Sequence, residues 1–418
     1  MPNRFTTAAR LLLTALALVS ASLVQAQQSG VIAIRAGKIL PISGPEIANG
    51  ILIIRDGKIA ALGANIPIPE GAKVLEAAVV MPGLVEAHGS RGMDAPNENI
   101  PVVPFVNTAD GVDPVNVAFE DALRDGLTTI HVLPGNATVV GGTGILVKPV
   151  GVTVESMMVK PRSGMKLSLY PGAGRNRMTQ LEELRRAFDD FDAYNEQLAE
   201  RRAEQKKRGE PEEEYDLRQQ AMRDLVDGKM TAYLACPADA DVAHALDFLA
   251  THKLKAVLVL GANCYKTAPL IAKRGLPVIL DPQTVVWETD PDTGKEIRHV
   301  TPLAFQQAGV KFAFQVQPGN FGLRSYWYQA ATAVGYGIPR ATALRAITLT
   351  PAEILGISDR VGSLEVGKDA NLLLLSGDPL ESKTWVDIVV IEGKVAYERK
   401  NDRRLQKLLT GKEEPDAP

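Results

Sequence analysis

The sequence predicts an α/β protein: a core of parallel βα units with a small β domain drawn from both chain ends. Three observations predict it. Short strand-like runs joined by tight turns lie near each end, continuous apolar strands alternate with amphipathic helical stretches between them, and one charged helical segment interrupts the alternation.

The first β segment covers 31–80, with AIRAGKILPI, GILIIRDGKIAALG and AKVLEAAVV in succession. Asp56-Gly57 between two apolar runs is a hairpin signal. The second β segment, 360–399, repeats the style in NLLLLSGDP and DIVVIEGKVAYE, where Glu392-Gly393 takes the turning role. Between them, over 81–359, GLTTIHVLPG, TAYLACP, KAVLVLGAN, LPVILDP and VKFAFQVQPG each read as a buried strand followed by a turn. Such strands are apolar throughout because helices cover them from outside. In a barrel, the residues just past each strand's C-terminal end form the working face. Residues 178–227 are rich in Glu, Arg, Lys and Gln and predict a pair of solvated helices broken near Gly209-Glu210-Pro211. Residues 400–418 read as a charged tail that frays.

Residues 1–26 read as an export signal: Arg4 and Arg10 precede an apolar stretch from Leu11 to Val24, and Val24-Gln25-Ala26 offers a cleavage site. The stretch is short for ~30 Å of hydrocarbon, so no membrane span is expected after cleavage, and the mature chain is expected in a periplasmic or extracellular compartment. Lys+Arg 46 against Asp+Glu 49 leaves a net charge of -3, which argues against nucleic acid or an anionic membrane and for a small-molecule ligand. A homodimer would suit a barrel of this size. The two cysteines, Cys236 and Cys264, either pair as a disulfide, remain buried thiols, or hold a metal as thiolates.

Three stretches resemble the amidohydrolase superfamily, in particular its imidazolonepropionase-related members. They are IRDGKIAALG with VVMPGLVEAHGSRG, the glycine-rich VVGGTGILVKPVG, and ALRAITLTPAEILGISDRVGSLEVGKDANLLLLSGDPL. Asn371 stands where an acidic residue is usual. The resemblance implies a (β/α)8 TIM-type barrel with a small β-sandwich domain formed from both chain ends. It also implies one or two divalent metals at the strand ends, activating a water that attacks a carbon-nitrogen centre other than an ordinary peptide bond. The implied ligands are a His-x-His pair on strand one, a Lys or Glu on strand four, one His on each of strands five and six, and an Asp on strand eight. Imidazoles and carboxylates hold a zinc-type ion whose open position lowers the pKa of bound water towards ~7.

Few of those residues are present. Strand one offers His88-Gly89-Ser90, so His88 is the one metal candidate there; a neutral hydroxyl at Ser90 is a poor ligand, and Arg91 adds positive charge beside it. Strand five gives Ala235 or Cys236, and strand six gives Gly261, Ala262, Asn263 and Cys264. Strand eight places Gln317 or Gln315 where the acid is expected, and an amide cannot accept a proton at neutral pH. Lys148 and Lys160 are candidates for a carboxylated lysine on the early strands. His131 lies close enough to a strand end to line the pocket, whereas His244 and His252 fall on a helix that faces away, and His299 completes the five histidines.

Three readings follow. One is a carbon-nitrogen hydrolase with at most a weak zinc-type site around His88. The second is a non-catalytic relative that uses the barrel mouth for binding. The third, hydrolysis by Cys236 or Cys264 with His88 as base, is the least supported, for no G-x-S-x-G elbow is present.

Overall fold

A computed structural model describes residues 30–172, 174–316 and 325–411. The export signal predicted at 1–26, Gln317, and the last residues of the tail lie outside the described residues. Four strands open the described chain: β1 Ile32–Ile39, β2 Ile47–Arg55, β3 Lys58–Gly63 and β4 Lys73–Pro82. Seven more follow in the central region: β5 Leu84–Gly89, β6 Leu127–Val132, β7 Val140–Val147, β8 Met158–Ser168, β9 Ala232–Cys236, β10 Ala256–Leu260 and β11 Val278–Leu280. The ribbon β12 Val285–Thr289 and β13 Glu296–Val300 precedes β14 Phe312–Phe314, and β15 Leu372–Leu375, β16 Val386–Ile391 and β17 Lys394–Glu398 close the chain.

Strands from both ends meet in one seven-stranded sheet, ordered β17-β16-β15-β4-β1-β2-β3. Its two hairpins turn as their sequences require. Asp56 and Gly57 adopt φ 51° and 75°, and Glu392 and Gly393 adopt 48° and 74°, the paired left-handed conformations of a type I′ turn. The two turns abut: a Cβ on Gly393 would lie 2.9 Å from the Gly57 Cα. Glycine at 393 is therefore needed for contact as well as for φ.

The eight-stranded sheet runs β14-β11-β10-β9-β8-β7-β6-β5 and curls until β14 approaches β5. Residues 346 and 347 bridge the closing gap, with the Phe314 N–H donating to Ala346 and the Val85 N–H to Ile347. The barrel is not wholly parallel, contrary to the expectation of uniform βα units. β7 runs antiparallel to both β6 and β8, because the connections flanking it are too short to carry a crossover helix.

Inward and outward residues alternate along the strands. Val85 and Ala87, Tyr233 and Ala235, Val257 and Val259, Ile279 and Ala313 form one inner apolar cluster. Their neighbours Leu84, Leu234, Leu258, Val278 and Phe312 pack outward against the helices. The inward residues near the strand ends are small, which leaves room there for longer polar side chains.

The charged segment forms one long helix, Arg177–Arg208, capped by Gly209 in the left-handed conformation, followed by a short helix at Gln220–Val226. It is not solvated all round, since Leu184, Phe188 and Phe191 are buried and Phe188 meets Phe248 edge-on. The tail is ordered further than expected. Asp402 caps the helix Arg403–Thr410 and is held by the Arg124 Nε at 2.6 Å, an attachment formed 278 residues away in sequence. No helix among the described residues is long and apolar enough to cross a membrane.

Candidate active site

β5 ends at the first barrel position where polar chemistry appears. Its inward residues Val85 and Ala87 are fully buried, and the strand then turns at Gly89, leaving His88 partly buried at the rim. The His88 Nδ1 lies 2.9 Å from Gln315 Oε1, and its Nε2 lies 2.7 Å from Lys166 Nζ. Gln315 is the first residue after β14, so this contact ties the last strand of the barrel to the first.

These partners fix the tautomer. An amide oxygen only accepts, so His88 Nδ1 carries the proton and donates to Gln315; Nε2 is then a lone pair, which accepts from Lys166. Burial and the neighbouring lysine hold the His88 pKa well below the ordinary value, so the ring is neutral. Lys166 is fully buried on β8, and burial lowers its pKa to about 7 from an ordinary 10.5. No carboxylate offsets that burial. The amine is thus near its titration midpoint at neutral pH, the condition a proton-transfer group requires.

His131 projects from β6 into the barrel interior. Its Nδ1 donates to the Ala87 carbonyl at 2.9 Å, and its ring meets Tyr233 edge-on with centroids 4.6 Å apart. Burial lowers its pKa to about 3, so it is a neutral interior group. Gly144 makes the space: a Cβ there would lie 3.0 Å from His131 Nε2 and 2.6 Å from Leu133. The glycine-rich strand is therefore a packing requirement of the interior histidine.

Other expected site residues are placed elsewhere. Arg91 does not add charge beside His88; its Nε donates to the buried Glu86 at 2.7 Å on the outer side of β5. Cys236 faces the helix layer, and the Cys264 thiol donates to the Cys236 carbonyl at 3.5 Å. Both are free thiols with pKa values raised by burial, which corrects the disulfide and thiolate-metal alternatives. Asn263 is exposed, and Ser90 contributes its carbonyl to a turn with Met93. His244 is exposed on its helix, His252 packs against Phe188 and Phe248, and His299 stacks on Tyr265. Lys148 pairs with Glu392 of the β domain at 2.5 Å. Lys160 is exposed at the far end of β8.

The residue that sequence reasoning missed is Lys166. Its signal was present: a lysine inside the run GMKLSLY, where a strand buried on both faces has no place for an unpaired cation.

The polar donors gathered here are one imidazole nitrogen, one amine and one amide oxygen. Ala235 and Val259 occupy the inward positions of strands five and six. Among the described residues, no group of three His, Cys, Asp or Glu side chains is arranged to hold a metal ion.

Comparison with known proteins bears on the fold. Residues 294–396 match the model of the Amidohydrolase family. The chain is similar to the amidohydrolase TasK of Hapsidospora irregularis, 23% identical over 395 residues, covering 81% of this chain and 39% of that protein. The chain thus spans about two fifths of that relative's length. Among solved structures it is similar to an amidohydrolase from Thermotoga maritima, with a TM-score of 0.78 and 27% identity over 88% of this chain and all of that one. A zinc-bound adenosine deaminase from Xanthomonas campestris shares the fold at TM-score 0.52 and 20% identity, over 91% of this chain and 96% of that one.

Proposed function

We propose that this chain is a member of the amidohydrolase family, whose model matches residues 294–396, and a hydrolase acting on a non-peptide carbon-nitrogen bond through Lys166 rather than through the family's metals. One observation carries the reading: a fully buried amine, its pKa lowered to about 7, 2.7 Å from a neutral imidazole at the C-terminal end of the barrel. The donor set does not fit a zinc-type ion, which takes three or four imidazole, thiolate or carboxylate ligands. No step is therefore routed through a metal.

In this reading the free Lys166 amine takes a proton from water as its oxygen attacks the carbonyl carbon. The resulting ammonium returns that proton to the nitrogen as the carbon-nitrogen bond breaks. His88 accepts a hydrogen bond from Lys166 in either state, and Gln315 holds the imidazole in the tautomer that allows it. The resemblance to imidazolonepropionase-related proteins supports a cyclic amide or related ring as the substrate class. The expected setting is an exported protein with a small-molecule substrate.

A second reading is a binding protein without turnover. Gln315 supports it, since a base that stands ready in an acid's place is absent at that position. Assay of the metal-stripped full chain against a panel of lactams and cyclic ureas separates the readings. Turnover that survives chelation and is lost in Lys166→Met supports the hydrolase. Saturable binding without turnover supports the second reading. Activity that chelation abolishes and zinc restores overturns both.

A further inference from the structure

At the end of the barrel opposite His88, the starts of β8, β9, β10 and β14 surround a cleft of about 620 Å³. Five cationic side chains line it, and one acid, Glu353. Three of the cations are already paired: Arg162 with Asp224 at 2.9 Å, Lys229 with Asp227 at 2.9 Å, and Lys311 with Glu353 of the cleft itself at 2.7 Å. Lys160 and Lys255 are exposed and have no ion pair among the described residues.

A second, independent feature lies in the same wall. Ser163 is 7% exposed, and its hydroxyl has no hydrogen-bond partner among the described residues. Buried hydroxyls are ordinarily satisfied, so an unpaired one in a cleft wall is a vacancy for a ligand oxygen. The remaining wall is apolar, including Leu276, Val310 and Leu355. Two free ammonium groups, one unsatisfied hydroxyl and an apolar wall match the two halves of an amphipathic anion.

We infer that this cleft binds a small organic carboxylate with an apolar body, its carboxylate on Lys160, Lys255 and the Ser163 hydroxyl, its chain against the apolar wall. The site is separate from His88 and Lys166 and does not depend on the reaction assigned to them. Working faces of such barrels lie at the strands' C-terminal ends, so a ligand here is not a substrate of that face.

The test is calorimetric titration of the full chain with octanoate and, separately, with inorganic phosphate. The inference expects saturable octanoate binding, weakened at least tenfold in Lys160→Glu/Lys255→Glu, weakened about threefold in Ser163→Ala, and unchanged in Lys166→Met. Lys160 and Lys255 are exposed, the serine substitution removes one unpaired hydroxyl, and Lys166→Met replaces a buried amine with an apolar chain of similar length; unchanged circular dichroism checks that all three variants fold. Absence of saturable octanoate binding, or equal affinity in the charge-reversed variant, overturns the inference. Phosphate binding as tightly as octanoate overturns the apolar half of it.

Discussion

Lys160 and Lys166 stand at opposite ends of one strand and meet opposite fates. Lys160 is exposed at the N-terminal end of the barrel and keeps its hydration. Lys166 is fully buried at the other end, with a neutral imidazole as its partner, and burial lowers its pKa to about 7. The same side chain is an electrostatic attractor at one end and a titrating amine at the other. The difference is solvation, because no carboxylate faces Lys166 to hold its charge.

The largest expected effect is on chemistry. Lys166→Met removes the proton-transfer group and is expected to lower kcat by roughly a thousandfold, in the range general acid–base groups contribute, whereas Lys160→Met leaves kcat unchanged. Equal losses in both variants would erase the contrast. In the native protein, kcat is expected to rise with pH through about 7, because the amine acts when unprotonated. Stability moves the same way. A lysine whose folded pKa is lowered from 10.5 to about 7 costs stability in full below pH 7, less as pH rises towards 10.5, and nothing above it. Thermal unfolding should therefore show Lys166→Met more stable than the native chain at pH 7, with a gap that narrows by pH 10.

A second prediction concerns the outer side of β5, where charge is buried but paired. Arg91→Met leaves Glu86, 1% exposed, without its partner and is expected to cost roughly 3–5 kcal/mol in urea unfolding. If the loss is under about 1 kcal/mol, the pair is not structural.

Smaller still is the effect of Gln315→Leu. It removes the acceptor of the His88 Nδ1–H and is expected to cost roughly 1–3 kcal/mol, with a ring free to change tautomer by nitrogen NMR. An unchanged tautomer would mean that Lys166 alone sets it. Last, Cys236 and Cys264 should react slowly with thiol reagents in the folded chain and both at once on unfolding, since burial raises both pKa values.

Much of the fold was legible because it is written in local patterns. The Asp56-Gly57 and Glu392-Gly393 turns declared their hairpins, and TAYLACP and KAVLVLGAN declared buried strands. The antiparallel β7 was not legible, since VVGGTGILV reads the same in either direction. At the site, the sequence marked His88 after a recognisable strand and left the strand-eight position between Gln317 and Gln315, of which Gln315 lies among the described residues. Lys166 could not be placed, because its meaning comes from burial and from a 2.7 Å contact across 78 residues of sequence. Arg91 was misjudged for a related reason: adjacency in sequence put it beside His88, while the turn at Gly89 directs it to Glu86.

The central claim rests on the titration of one amine. Lysine-selective NMR on the full, metal-stripped chain, assigned with Lys166→Met, measures it directly. The account predicts a midpoint near 7 for Lys166. A Lys166 midpoint near 10, or a Lys166 nitrogen carrying a carboxylate bound to a stoichiometric metal, would contradict it.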